Sequence, residues 1–76
     1  MKEFDYSAPA ELFAGHGRSG LRYRRFTRSA EAIRYAMEKL PAAALSATSL
    51  EVDDQQYGAA QIRALYDSGR YPLRRR

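Results

Sequence analysis

The fold of this chain is decided by residues 21–41, LRYRRFTRSAEAIRYAMEKLP, in which a strand pattern passes directly into a helix pattern. Residues 21–26 carry one aliphatic and two aromatic side chains, which favour an extended strand. Apolar side chains then recur at three- and four-residue spacing, at Ala30, Ile33, Ala36, Met37 and Leu40. That spacing places them on one face of a helix, which Pro41 ends. Thr27 or Ser29 is expected to cap the helix N-terminus.

Toward the N-terminus, the pattern predicts a second strand and a hairpin. Residues 10–14, AELFA, alternate in part and indicate a short strand. The glycine-rich residues 15–20 between the two strands suit a hairpin loop. Residues 1–8 are expected to be flexible or loosely docked, with Phe4 and Tyr6 able to hold them against the body.

Toward the C-terminus, we expect a third strand and a second helix. Apolar and polar side chains alternate over residues 48–52, TSLEV, which is typical of a half-buried strand. Residues 42–47 before it read as a connection, and residues 53–58 after it as a polar loop. Residues 59–68 predict a helix that buries Ile62, Leu65 and Tyr66. Gly69 is placed to end it in the left-handed conformation. Residues 71–73 are expected to fold back on the body, ahead of a mobile tail at residues 74–76.

These elements predict one α+β domain over residues 1–76, with the order ββαβα. The first helix would be a right-handed crossover that joins strands two and three in parallel. The result would be a three-stranded mixed sheet with two helices on one face, which is a two-layer domain. A sheet of three strands leaves at least one edge open.

Several segments together resemble a set of short uncharacterised bacterial proteins. The segments are AELFAGHGR, LRYRRFTRSAEAIRYAMEKLP, SLEVDD and IRALYDSGRYPLRRR. The similar proteins share an AELF segment, a YRRF strand that runs into an AEAIRYAME-type helix, a LEVD strand and an IRxLYxSxxYPL ending. Arg28 departs from their pattern, because they carry a capping threonine there. The resemblance implies a compact single domain and carries over no activity.

Composition excludes several classes of protein. The chain has no cysteine, so it has neither a disulfide nor a thiolate nucleophile, and this fits a reducing cytoplasm. The acidic residues Glu3, Asp5 and Glu11 interrupt the N-terminal region, which argues against a signal peptide. No apolar run is long enough to span a bilayer. We therefore expect a soluble cytoplasmic protein without membrane contact.

Three motifs that suggest chemistry are better read as structure. Residues 15–20, GHGRSG, match the dinucleotide pattern G-x-G-x-x-G, but a strand follows them where that fold requires a helix. His16 is the sole histidine and has no partner in the pattern. Asp53 and Asp54 supply too few oxygens for a hard cation. No nucleophile–base pair is evident, so we expect no catalytic site, no metal, no cofactor and no small-molecule ligand.

The basic segment of residues 18–28 holds five arginines and no acidic residue. The charge of this segment alone is larger than the net charge of +4 of the whole chain. Its candidate macromolecule-binding residues are Arg18, Arg22, Tyr23, Arg24 and Arg25. Arginines interleaved with an aromatic ring are typical of single-stranded nucleic-acid sites. The same arginines could instead form a solvated face or pair with Glu11, Glu31 and Glu51. The favoured hypothesis is a non-enzymatic module that binds a protein partner, or itself as a homodimer, through an open sheet edge or through the basic face. The alternative is a nucleic-acid-binding domain that uses the basic strand face.

Overall fold

The structure, a computed structural model, describes residues 4–15 and 21–73, and for Leu21 and Arg22 it defines the backbone alone. It confirms the α+β class. The strands are β1 (Ala10–Gly15), β2 (Leu21–Phe26), β3 (Thr48–Val52) and β4 (Gln55–Tyr57), and the helices are α1 (Ser29–Lys39), α2 (Ala42–Leu45) and α3 (Ala59–Asp67). Over the part of the chain that is described, no helix is long and apolar enough to cross a membrane.

The sheet has four antiparallel strands in the order β2-β1-β3-β4, which corrects the predicted three-stranded mixed sheet. Strands β2 and β3 run in the same direction, as expected, but β1 lies between them. The physical reason is apolar content. Ala10 and Leu12 make β1 the strand best suited to the centre, whereas the arginine-rich β2 is tolerated at an edge.

The fourth strand was missed because its turn carries no glycine. Asp53 and Asp54 have φ values of 53° and 67°, the positive sign that the two central residues of a type I′ hairpin require. Aspartate adopts this conformation more readily than most residues. Residues 55–57 therefore pair with β3, and the predicted polar loop over residues 53–58 is wrong for them.

One face of the sheet carries the core. The expected alternation in β3 is confirmed, with Thr48, Leu50 and Val52 buried and the residues between them half-buried. Strands and helices contribute to one apolar cluster, whose members include Ala10, Leu12, Leu50, Val52, Ala30, Ile33, Ala36 and Ile62. The helices therefore cover one face, and no described helix covers the opposite face, which is called the open face below.

The N-terminus of α1 is capped by backbone carbonyls, which corrects the prediction of a Thr27 or Ser29 side-chain cap. Arg28 stands at the N-cap without a side-chain capping bond. The N–H of Ser29 donates to the Ala8 carbonyl at 2.7 Å, and the N–H of Ala30 donates to the Tyr6 carbonyl at 2.9 Å. Ser29 itself is buried, and its hydroxyl donates to the Asp5 carbonyl at 2.8 Å. The segment before β1 is thus fixed to the helix that follows β2.

The end of α3 also differs from the expectation. Ser68 ends the helix in an extended conformation, and Gly69 does not adopt the positive φ that was predicted for it. The N–H of Tyr71 donates to the Ser68 carbonyl at 3.1 Å and reverses the chain. Tyr71 is then buried, and its hydroxyl donates to the Ala30 carbonyl at 2.9 Å. The predicted return of residues 71–73 to the body is confirmed.

Candidate interaction surface

Strand β2 forms one edge of the sheet, and its register with β1 assigns its side chains to the two faces. Arg24 lies opposite Leu12, whereas Tyr23 lies opposite Phe13 and Arg25 opposite Glu11. Directly opposed residues of an antiparallel pair point to the same face. Because Leu12 is buried under the helices, Arg24 belongs to the helix-covered face. Tyr23 and Arg25 belong to the open face.

Arg24 is held against two aromatic rings at the rim of the helix layer. Its guanidinium carbon lies 4.7 Å from the ring centroid of Tyr35 and 5.2 Å from that of Phe26. The two rings contact each other with centroids 5.7 Å apart. A cation over ring faces at these distances is attracted by the ring quadrupoles. The side chain is exposed, yet these contacts restrict its direction.

Tyr23 is paired on the open face with two residues of β1. Its hydroxyl donates to Glu11 Oε2 at 2.6 Å, and its ring lies 5.2 Å from that of Phe13, tilted by 48°. The bond to the Glu11 carboxylate raises the pKa of Tyr23, because a phenolate could not donate it. Tyr23 is 53% exposed, and no other large hydrophobic side chain in the described ranges is classed as exposed.

The open face beside Tyr23 also carries acidic groups. Glu11 lies opposite Glu51 in the pairing of β1 with β3. These carboxylates line an open groove together with Arg25 and with the two aspartates of the β3–β4 turn, Asp53 and Asp54. Arg25 is therefore a basic side chain at the border of an acidic surface.

The predicted set of basic residues does not form one uniform surface. Tyr23 and Arg25 share the open face, and Arg24 lies on the helix-covered face. The backbone of Arg22 belongs to β2, but its side chain is not described, and Arg18 lies outside the described residues. Sequence reasoning missed Phe13 and Tyr35 as neighbours, whereas it named Glu11 as a possible partner of the arginines. The alternation of β1 around Leu12 was the signal that could have placed Glu11 and Phe13 on the open face.

Within the described residues, the motifs that suggested chemistry form no second site. His16 and most of the GHGRSG loop lie outside the described residues. Among the residues that are described, no group of three or more histidine, cysteine or acidic side chains could hold a metal ion. Arg28, at the end of the basic segment, pairs with Glu31 at 2.9 Å on the surface of α1.

Comparison with known proteins does not assign a function to this surface. No protein-family model matches the chain, and no curated protein or solved structure is significantly similar to it.

Proposed function

We propose that the protein is a non-enzymatic interaction module that binds an extended segment of another protein along the outer edge of β2. The supporting observation is the place of β2 in the sheet. It is six residues long, it contains no proline, and within the described ranges no strand pairs with its outer side. Alternate residues of an edge strand direct their N–H and C=O groups outward, so β2 offers about six hydrogen-bonding groups to an added strand.

The side chains beside the edge give an added strand contacts on both faces. On the open face it meets the exposed ring of Tyr23, which Phe13 supports from β1. On the helix-covered face it meets Arg24, which Tyr35 and Phe26 hold in position. In this binding mode, backbone bonds supply affinity, and the side chains on alternate faces supply specificity.

The other edge of the sheet is less suitable for a partner. Strand β4 has three residues, and it directs Gln55 and Tyr57 to one face and Gln56 to the other. A strand of this length offers fewer outward backbone groups than the six-residue β2. We therefore assign the binding edge to β2.

The buried hydroxyl groups of the described residues are engaged in the fold. The hydroxyls of Ser29, Thr48, Tyr6 and Tyr71 each donate to a backbone carbonyl. No buried side-chain nitrogen or oxygen in the described part of the chain lacks a hydrogen-bond partner. These contacts explain the polar groups as structural and support the non-enzymatic proposal.

The nucleic-acid alternative has weaker support from the geometry. A stacking site needs an aromatic face and cations on one surface. Here the ring of Tyr23 shares the open face with one described arginine, Arg25, and Arg24 lies on the opposite face. The carboxylates of Glu11 and Glu51 lie on the same face as the ring and would repel the phosphates of a strand stacked on it. We therefore argue for a protein partner and treat nucleic acid as an outcome of the experiments.

A display library of random peptides in an extended scaffold tests the proposal. We expect the selected peptides to protect backbone amides of β2 from hydrogen exchange, with little effect on β4 or on the exposed face of α3. Proline placed singly at Tyr23 and at Arg24 removes an outward N–H group in one variant and an N–H group bonded to β1 in the other. The variant that loses the outward group should stay folded by circular dichroism and should abolish binding. Selected peptides that protect another surface, or that bind this proline variant equally well, would refute the proposal.

A further inference from the structure

We infer that the partner of β2 is an acidic extended segment rather than a second copy of this chain. The inference rests on the proposed function and concerns the chemistry of the partner. In the strand LRYRRF, three of six residues are arginines, at positions 22, 24 and 25, and none is acidic. An added strand must therefore place its side chains next to these positive charges.

The charges flank the added strand on both of its faces. Arg24 lies on the helix-covered face and Arg25 on the open face, because they are consecutive residues of one strand. A partner residue directly opposite each arginine comes within about 5.5 Å between Cβ atoms. Acidic side chains at two consecutive partner positions would thus each meet one arginine. The pair with Arg24 would be the stronger, because Arg25 lies opposite Glu11 on the open face and its charge is already partly balanced there.

A second copy of β2 does not satisfy this requirement. In an antiparallel pair of identical strands, opposed residue numbers have a fixed sum. Four registers pair two copies of β2 about residue 22, 23, 24 or 25 and keep the helices of both copies on the same side of the joined sheet. They place Arg22 opposite itself, Arg22 opposite Arg24, Arg24 opposite itself, or Arg25 opposite itself. Like charges directly opposite each other destabilise a strand pair, so β2 disfavours its own copy.

The register specifies the partner's pattern. Read from its N-terminus, an antiparallel partner has residues opposite Arg25, Arg24, Tyr23 and Arg22 in turn. Electrostatic complementarity requires acidic, acidic, apolar and acidic residues at these positions. The apolar residue packs on the open face against the exposed ring of Tyr23. The contacts of Arg24 with Tyr35 and Phe26 orient its guanidinium before binding, which reduces the entropy lost in forming the pair.

Two labelled peptides test the inference, TTEEVETT and its neutral counterpart TTQQVQTT, titrated by fluorescence anisotropy at low and at physiological salt. We expect the acidic peptide to bind about tenfold more tightly, since three cross-strand pairs of opposite charge each add a modest gain. The difference should shrink as salt rises. Hydrogen exchange of the complex should show protection in β2.

Reversing the charge of two arginines of β2 provides the control. The variant Arg24→Glu with Arg25→Glu should lose the preference for the acidic peptide and should bind the peptide TTKKVKTT instead. Arg63→Glu is a matched change at an exposed arginine of α3, which packs against β3 and β4, and should leave the preference intact. Circular dichroism checks that each variant is folded.

The outcomes separate the two proposals. Equal binding of the acidic and neutral peptides, with β2 protected, overturns the acidic partner and leaves the edge-binding function standing. Binding without protection of β2 overturns both. Tighter binding of a single-stranded oligonucleotide than of the acidic peptide, lost in the Arg24→Glu Arg25→Glu variant, overturns both in favour of nucleic acid.

Discussion

Replacing Tyr71 by phenylalanine should destabilise the protein at neutral pH and stabilise it at strongly alkaline pH. Tyr71 is 7% exposed, and its hydroxyl donates to the Ala30 carbonyl at 2.9 Å. Burial raises the pKa of Tyr71 to about 12, with the charge of Arg34 opposing the shift and Tyr66, Glu38 and Tyr6 adding to it. The neutral phenol stabilises the fold, and the phenolate does not.

The magnitudes follow from this shift. At neutral pH, Tyr71→Phe removes one hydrogen bond and should cost about 1 kcal/mol, or roughly 6 °C in a domain of this size. The tyrosine ionises in the unfolded chain near pH 10 and in the folded protein near pH 12. Its contribution is therefore complete below pH 10 and is lost as pH rises through this window. The loss amounts to about 2.7 kcal/mol at most.

The stabilities of the variant and of the parent protein should therefore become equal at a pH between 10 and 12, where the loss matches the contribution of the hydrogen bond. Above that pH the variant should be the more stable of the two. Urea unfolding followed by far-ultraviolet circular dichroism at several pH values between neutral and strongly alkaline measures both curves. Ionisation of groups remote from Tyr71 affects both proteins alike and cancels in the difference.

A second core variant separates a titration effect from simple loss of packing. Ile62 is fully buried in the same core and does not ionise. Ile62→Val should cost about 1 kcal/mol, and this cost should be the same at every pH. If the Tyr71→Phe curve also stays parallel to that of the parent protein, burial of the phenol does not control alkaline stability and the reasoning is refuted.

Further predictions concern the core, the turn and the edge. Ile33→Asp places a charge at a fully buried position and should unfold the domain, and a native circular dichroism spectrum would contradict the packing of α1. Asp54→Gly should raise stability by roughly 0.5 kcal/mol, since Asp54 has a φ of 67°, and a lower melting temperature would refute this. Arg24→Thr with Arg25→Thr should cause self-association in sedimentation experiments, unlike Arg63→Thr, because it removes the charges that oppose pairing. A monomer at all concentrations would contradict that role.

Hydrophobic periodicity predicted which residues of a single helix or strand face the core. The apolar spacing of α1 and the alternation of β3 identified Ile33, Leu50 and Val52 as core residues. Strand order depends instead on which strands share hydrogen bonds, and the sequence pattern of β1 does not state that both of its edges are used. The turn at Asp53 and Asp54 was missed because a positive φ is a weak preference of aspartate and a strong one of glycine.

The candidate surface was predicted in its location and not in its arrangement. The charge of residues 18–28 pointed to β2, and β2 has the predicted bounds. A run of charge in a strand is divided between two faces, so Arg24 and Arg25 lie apart although they are adjacent in the sequence. The contact of Arg24 with Tyr35 depends on where α1 lies above the sheet, and no spacing within either segment shows that.

The two edges of the sheet are protected from self-pairing in different ways. Strand β4 is short and offers few backbone groups, whereas β2 is long and carries arginines. Length and charge have different consequences: a short edge strand pairs weakly with any partner, whereas a charged one disfavours partners of like charge. An edge that needed only protection could have been shortened as β4 is. The arginines leave β2 open to a strand of opposite charge, and this selectivity is the physical basis for assigning it an acidic protein partner.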